Sequence, residues 1–222
     1  MNKNLLNPVV THPPPWHLNG DAFIMNYWLS PALTKASAHF GIAPSYLGRM
    51  VQVMLVRYET SPVGPYDELL LLDHSIKYGG SLSFIPKIYV STEVSVQHGQ
   101  ALWGIPKELA QFEWLERENT CYCQIQFGEQ IMSIKLMKKP ATQTASVSSK
   151  YLPDLILKIK QHDQGQIFSF APRFSGALKA MQSIEWINTQ DIFPDFSKAT
   201  ALKSFYIPEF QLIFPEAQIE KA

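Results

Sequence analysis

Residues 61–72, SPVGPYDELLLL, and residues 99–114, GQALWGIPKELAQFEW, decide how this chain is read. Each joins a turn shaped by Pro and Gly to a run rich in apolar residues, the pattern of strands entered from tight turns. On the strand that leaves the first turn, side chains alternate between faces, so Tyr66 and Glu68 share one side and Asp67 takes the other. The second turn sets Lys107 among Trp103, Ile105 and Leu109. An ordinary lysine amine is almost wholly protonated at neutral pH and attacks nothing. Burial against apolar neighbours penalises the ammonium form and frees the lone pair that attacks a carbonyl. Lys107 is therefore the leading candidate nucleophile.

Outward from these turns the chain is rich in strands. In residues 51–59 the alternation sets Val51, Val53 and Leu55 on one face and Gln52, Met54 and Val56 on the other. Residues 121–127 and 131–137 read as a hairpin around Gly128 and Glu129. Ser30 as N-cap and Pro31 at the first helical position open a short helix to about Phe40. A second helix is expected over 92–102, with Gly104 just past its end, delivering the chain to Lys107. The polar stretch ATQTASVSSK, 141–150, reads as a mobile surface loop rather than a domain boundary, because the strands after it would lack a core of their own. One domain over residues 1–222 is expected.

Nineteen basic residues balance nineteen acidic ones in 222 residues. That neutrality argues against nucleic acid as a partner, since phosphate binding needs clustered Lys and Arg. No apolar run approaches the ~20 residues of a membrane span. Prolines also break up the N-terminal stretch where a signal peptide would need an apolar core, so a cytoplasmic protein is expected. Cys121 and Cys123, the two cysteines of the chain, share one strand face and read as core packing rather than zinc ligands. No metal or cofactor is expected. His74 reads as a surface-turn histidine rather than a proton shuttle.

YETSPVGPYDELLLL, 58–72, and IYVSTEVSVQHGQALWGIPKELAQFEW, 88–114, resemble the acetoacetate decarboxylase superfamily. Pro106, Lys107 and Leu109 match the family turn in which a proline precedes the Schiff-base lysine, and Gly64, Tyr66 and Glu68 match its glutamate turn. The tail ALKSFYIPEFQLIFPEA, 201–217, resembles the family's closing strand. The resemblance implies an α+β, strand-rich fold: a curved antiparallel sheet or barrel-like cone with few short helices. It implies Lys107 and Glu68 as catalytic residues, substrate contacts from Tyr66, Tyr89 and Val53, and a homo-oligomer.

The sequence also departs from the family. Where the decarboxylases carry a second lysine stands Glu108, which would hold a neighbouring ammonium if close, but alternation directs it away from Lys107. An ungapped reading places Val53 at a second pocket glutamate and Asp21 near an arginine that greets an acidic substrate. Neither Arg57 nor Arg173 is placed in the pocket by the sequence. The expected activity is that of a lyase forming an imine on a small keto acid or related carbonyl compound. The alternatives are aldolase or dehydratase chemistry at the same lysine, or a small-ligand receptor that keeps the pocket without turnover.

Overall fold

The computed structural model describes residues 10–77, 80–140, 143–189 and 191–222. Four long strands form its centre: β1 (Trp16–Leu29), β2 (Arg49–Thr60), β3 (Tyr66–Lys77) and β4 (Gly80–Val90), each antiparallel to the next. Between β1 and β2, α1 (Pro31–Ala36) starts as expected, with the Ser30 side chain accepting from the Leu33 N–H and proline in the first turn. The expected single helix to Phe40 is instead broken at Ser37, and a 3-10 turn, Ala38–Phe40, follows.

After β4 come α2 (Glu93–Trp103) and the short β5 (Lys107–Leu109). The three-stranded meander β6 (Gln111–Arg117), β7 (Thr120–Phe127) and β8 (Gln130–Lys138) contains the expected hairpin. The segment read as a mobile loop is corrected in part. Ala141 and Thr142 lie outside the described residues, whereas β9 (Ala145–Ser148) is a strand paired with β12 (Arg173–Ile187). Between them run α3 (Asp154–Leu157), β10 (Ile159–Asp163) and β11 (Gln166–Phe170). The chain closes with β13 (Thr200–Ala201), β14 (Phe205–Phe214) and β15 (Gln218–Lys221).

One continuous order, β15-β11-β10-β4-β3-β2-β1-β14-β12-β8-β7-β6, makes an open, strongly curved sheet. It is strand-rich with short helices, as expected, but mixed rather than purely antiparallel, because β4 pairs in parallel with β5 and β10. Such length forces curling, since each strand is rotated by about 20–25° on its neighbour. The long β12 pairs with β14 and with β8, so the β8-β7-β6 meander folds back over the central strands.

The central strands are therefore buried on both faces. One core contains Phe23, Met25, Val51, Val53, Leu55, Leu69 and Leu71 packed on Cys121, Cys123, Ile125 and Ile134 of the meander. Both cysteines are fully buried free thiols within it. The second core, on the opposite face, contains Trp16, Val56, Tyr58, Tyr66, Leu70, Leu72, Ile85, Trp103 and Phe210, and it surrounds a cavity. Among the described residues no helix is long and apolar enough to cross a membrane.

Candidate active site

A cavity of about 280 Å³ opens within the second core. Even-numbered residues supply its central wall: Ile24 from β1, Gln52, Met54, Val56 and Tyr58 from β2, and Tyr66, Glu68, Leu70, Leu72 and His74 from β3. This is the period-2 rule applied to three neighbouring strands in register, with Val56 opposite Glu68 and Met54 opposite Leu70.

Lys107 is placed by the end of α2. Gly104 terminates that helix in the left-handed region, φ 60°, where its N–H bonds the Gln100 carbonyl. A side chain there would meet the Phe168 ring at 2.5 Å, so glycine is required both for the dihedral and for space. The chain then turns sharply through Pro106, with the Lys107 N–H on the Ile105 carbonyl at 2.7 Å, and enters β5 beside Ile88. Gln100 Nε2 donates to the Lys107 carbonyl at 2.9 Å.

The lysine side chain then lies along α2. A Cβ on Gly99 would sit 2.5 Å from Lys107 Cδ, so the helix approaches the stem as closely as a glycine allows. One turn earlier, Ser95 Oγ receives Lys107 Nζ at 3.0 Å. Nζ also donates to Glu68 Oε2 at 2.9 Å and lies 5.1 Å from the centre of the Tyr66 ring. Tyr58 donates its hydroxyl to the other carboxylate oxygen, Glu68 Oε1, at 3.0 Å. Lys107 is 6% exposed and Glu68 4%. Burial, reinforced by the Glu68 charge, pushes the phenols of Tyr58 and Tyr66 well above their ordinary range, so both remain protonated donors.

Three expected site residues, Lys107, Glu68 and Tyr66, thus meet at the buried end of the cavity. Two others do not, and both are corrections. Val53 faces the meander core, and on its strand the cavity receives Gln52, Met54 and Val56 instead. Tyr89 also lies in the meander core, donating its hydroxyl to the Ile192 carbonyl at 2.8 Å. The cause is a bulge: Leu71 and Asp73 of β3 face Lys87 and Phe84 of β4, so β4 carries one extra residue there. Ser83 and Ile85 face the cavity before the bulge and Ile88 after it, which turns Tyr89 outward.

His74 is a further correction, since it lines the cavity rather than a surface turn, with Nδ1 2.9 Å from Ser83 Oγ. Burial pushes its imidazole pKa down, favouring the neutral ring. Glu108 points away from the cavity and accepts from Lys87, as alternation directs. Arg57 is held by Asp21 through two bonds, 2.7 and 2.8 Å, and stacks over Trp114 on the meander side. Arg173 donates to the carbonyls of Ser149 and Leu152, each at 2.7 Å. Glu68 and Lys107 are consequently the only acidic and basic groups, the neutral imidazole apart, among the described residues lining the cavity. Ser95 and Tyr58 were not singled out by sequence reasoning. Ser95 stands four residues before Gly99, a spacing that would have shown both on the helix face toward Lys107.

The arrangement couples a buried amine to one carboxylate within hydrogen-bond reach, in an apolar cavity. The sequence matches the profile of the acetoacetate decarboxylase family over residues 6–179. No curated protein sequence matches it significantly. Among solved structures it is similar to acetoacetate decarboxylase from Legionella pneumophila, at 16% identity and a TM-score of 0.69 over 94% of this chain and 88% of that one. It is similar to an acetoacetate decarboxylase-like enzyme from Sphingomonas wittichii RW1, at 14% identity and a TM-score of 0.66 over 100% and 99%. A third likeness is to the enduracididine biosynthesis enzyme MppR, complexed with the condensation product of pyruvate and imidazole 4-carboxaldehyde, at 12% identity and a TM-score of 0.61 over 94% and 90%. At such identities these likenesses concern the fold.

Proposed function

The chain belongs to the acetoacetate decarboxylase family, and from that premise we propose that it is a lyase acting through an imine on Lys107, with Glu68 as acid and base. The observation that carries the reading is the Lys107 Nζ to Glu68 Oε2 contact of 2.9 Å at the buried end of an apolar cavity. When a ketone or aldehyde displaces the ammonium's contacts, the proton passes to Glu68, leaving a neutral amine and a neutral carboxyl. That exchange leaves no separated charge in the cavity, so burial favours it. The amine adds to the carbonyl carbon, and the carboxyl of Glu68 protonates the carbinolamine hydroxyl, which departs as water.

The iminium left behind withdraws electrons from a neighbouring bond. If that bond runs to a carboxylate, carbon dioxide leaves and the enamine is protonated at carbon. Water then adds to the imine and releases the ketone and the amine. Tyr58 keeps one oxygen of Glu68 occupied as a hydrogen-bond acceptor, so the proton moves on the other. Aldolase or dehydratase chemistry is the second reading, and it draws on the likeness to an enzyme bound to a condensation product.

The test is borohydride reduction in the presence of acetoacetate and of acetone, followed by peptide mass analysis. A reduced adduct on Lys107, lost in Lys107→Met, supports the imine. Unmodified Lys107 with both compounds, in a folded protein, would refute it.

A further inference from the structure

The cavity wall is graded from a buried end to a half-exposed one. Along β3, Tyr66, Glu68, Leu70 and Leu72 are buried and His74 is half-exposed; along β2, Tyr58 and Val56 are buried while Met54 and Gln52 are half-exposed. The reactive pair therefore stands at the closed end and the rim lies near His74 and Gln52. At about 3.3 Å per residue, Glu68 and His74 are roughly 20 Å apart along the strand. Between them the wall is apolar, formed by Leu70, Leu72, Val56, Met54 and Ile85. An apolar wall of such a length suits an extended apolar chain.

We propose that the substrate is a carbonyl compound bearing an unbranched apolar chain, which lies along the β2 and β3 wall with its carbonyl at Lys107 and its far end at the His74 rim. The inference deepens the imine reading of Lys107 and rests on it for the placement of the carbonyl. The substrate's affinity comes from the chain. With Glu68 and Lys107 committed to each other, no further cation among the described residues lines the cavity to hold a substrate carboxylate. A short keto acid would leave most of the apolar wall uncovered, whereas each methylene laid along it leaves water and tightens the complex about four-fold.

Trp16 and Trp103 both line the cavity, so their emission reports its occupancy without requiring covalent chemistry. The experiment titrates Lys107→Met with straight-chain 2-alkanones from acetone to 2-undecanone by tryptophan emission, and runs borohydride trapping of the unmodified protein with the same series. The expected result is affinity rising about four-fold per methylene until the cavity is filled, then levelling or falling. Met54→Phe and Leu72→Phe should bring that break to shorter chains. The first substitution is on the half-exposed rim and remains informative if the second fails to fold. Equal affinity for acetone and 2-octanone would overturn the proposal, as would a break unmoved in every folded variant. Chain-length dependence in emission without trapping by any ketone would instead sink the imine reading and leave the cavity's ligand class standing.

Discussion

Gly99→Ala isolates the hold of α2 on the reactive lysine. The new methyl would sit 2.5 Å from Lys107 Cδ and 2.8 Å from Cε, where ordinary contact begins near 3.4 Å. The lysine stem must therefore retreat by about 1 Å, carrying Nζ away from Ser95 and Glu68, whose bonds of 3.0 and 2.9 Å then stretch beyond useful hydrogen-bond length. A misplacement of about 1 Å at a reacting group costs on the order of 100-fold in rate. Stability responds less, because alanine gains about 1 kcal/mol over glycine in a helix interior, against an overpacking cost of about 1–3 kcal/mol. The net loss is at most about 2 kcal/mol, or a Tm lower by up to about 8 °C for a chain of this length. The assay is the rate of cyanoborohydride-trapped adduct formation on Lys107, read beside thermal unfolding. Trapping at the unmodified rate with an unchanged Tm would refute the claim that α2 positions the amine.

Three further outcomes follow from the same geometry. Lys107→Met and Glu68→Leu should each destabilise by about 3–5 kcal/mol by leaving a buried charge without its partner, and the double variant should lose far less than the sum in urea unfolding; strict additivity would show that the pair is not coupled. Glu108→Gln removes the acceptor of Lys87 on a partly exposed surface, so stability should fall by less than about 1 kcal/mol, with the pH profile of imine trapping unchanged; a displaced profile would place Glu108 beside the amine after all. Burial pushes the Cys121 thiol from its ordinary 9.0 up to about 11. The unfolded thiol then ionises first as pH rises, so the stabilisation is whole below pH 9 and is lost towards pH 11, to the extent of roughly 3 kcal/mol. Denaturant unfolding of the parent and of Cys121→Ala across that range reads this directly, and identical slopes would contradict it.

What the sequence determined by itself was local. Proline and glycine at 61–65 and 104–106 set two turns, the alternation after them set Tyr66 with Glu68, and Gly104 ended α2 where Lys107 had to begin. These features depend on dihedral preferences and a two-residue period, which neighbouring residues suffice to fix. The side of β2 that faced the cavity was beyond such reasoning. Val51, Val53 and Leu55 were as apolar as Met54 and Val56, because the sheet has a core on each face. Which core became solid and which kept a cavity was decided by the β6–β8 meander folding onto one face and by α2 and β14 closing over the other. The β4 bulge that turned Tyr89 outward was likewise invisible, since an extra residue is defined only against the partner strand. So was the meeting of Ser95, Gly99 and Glu68 on one lysine: long-range pairing had to bring β3, β5 and α2 within a few ångströms of one another before those residues had anything to act upon.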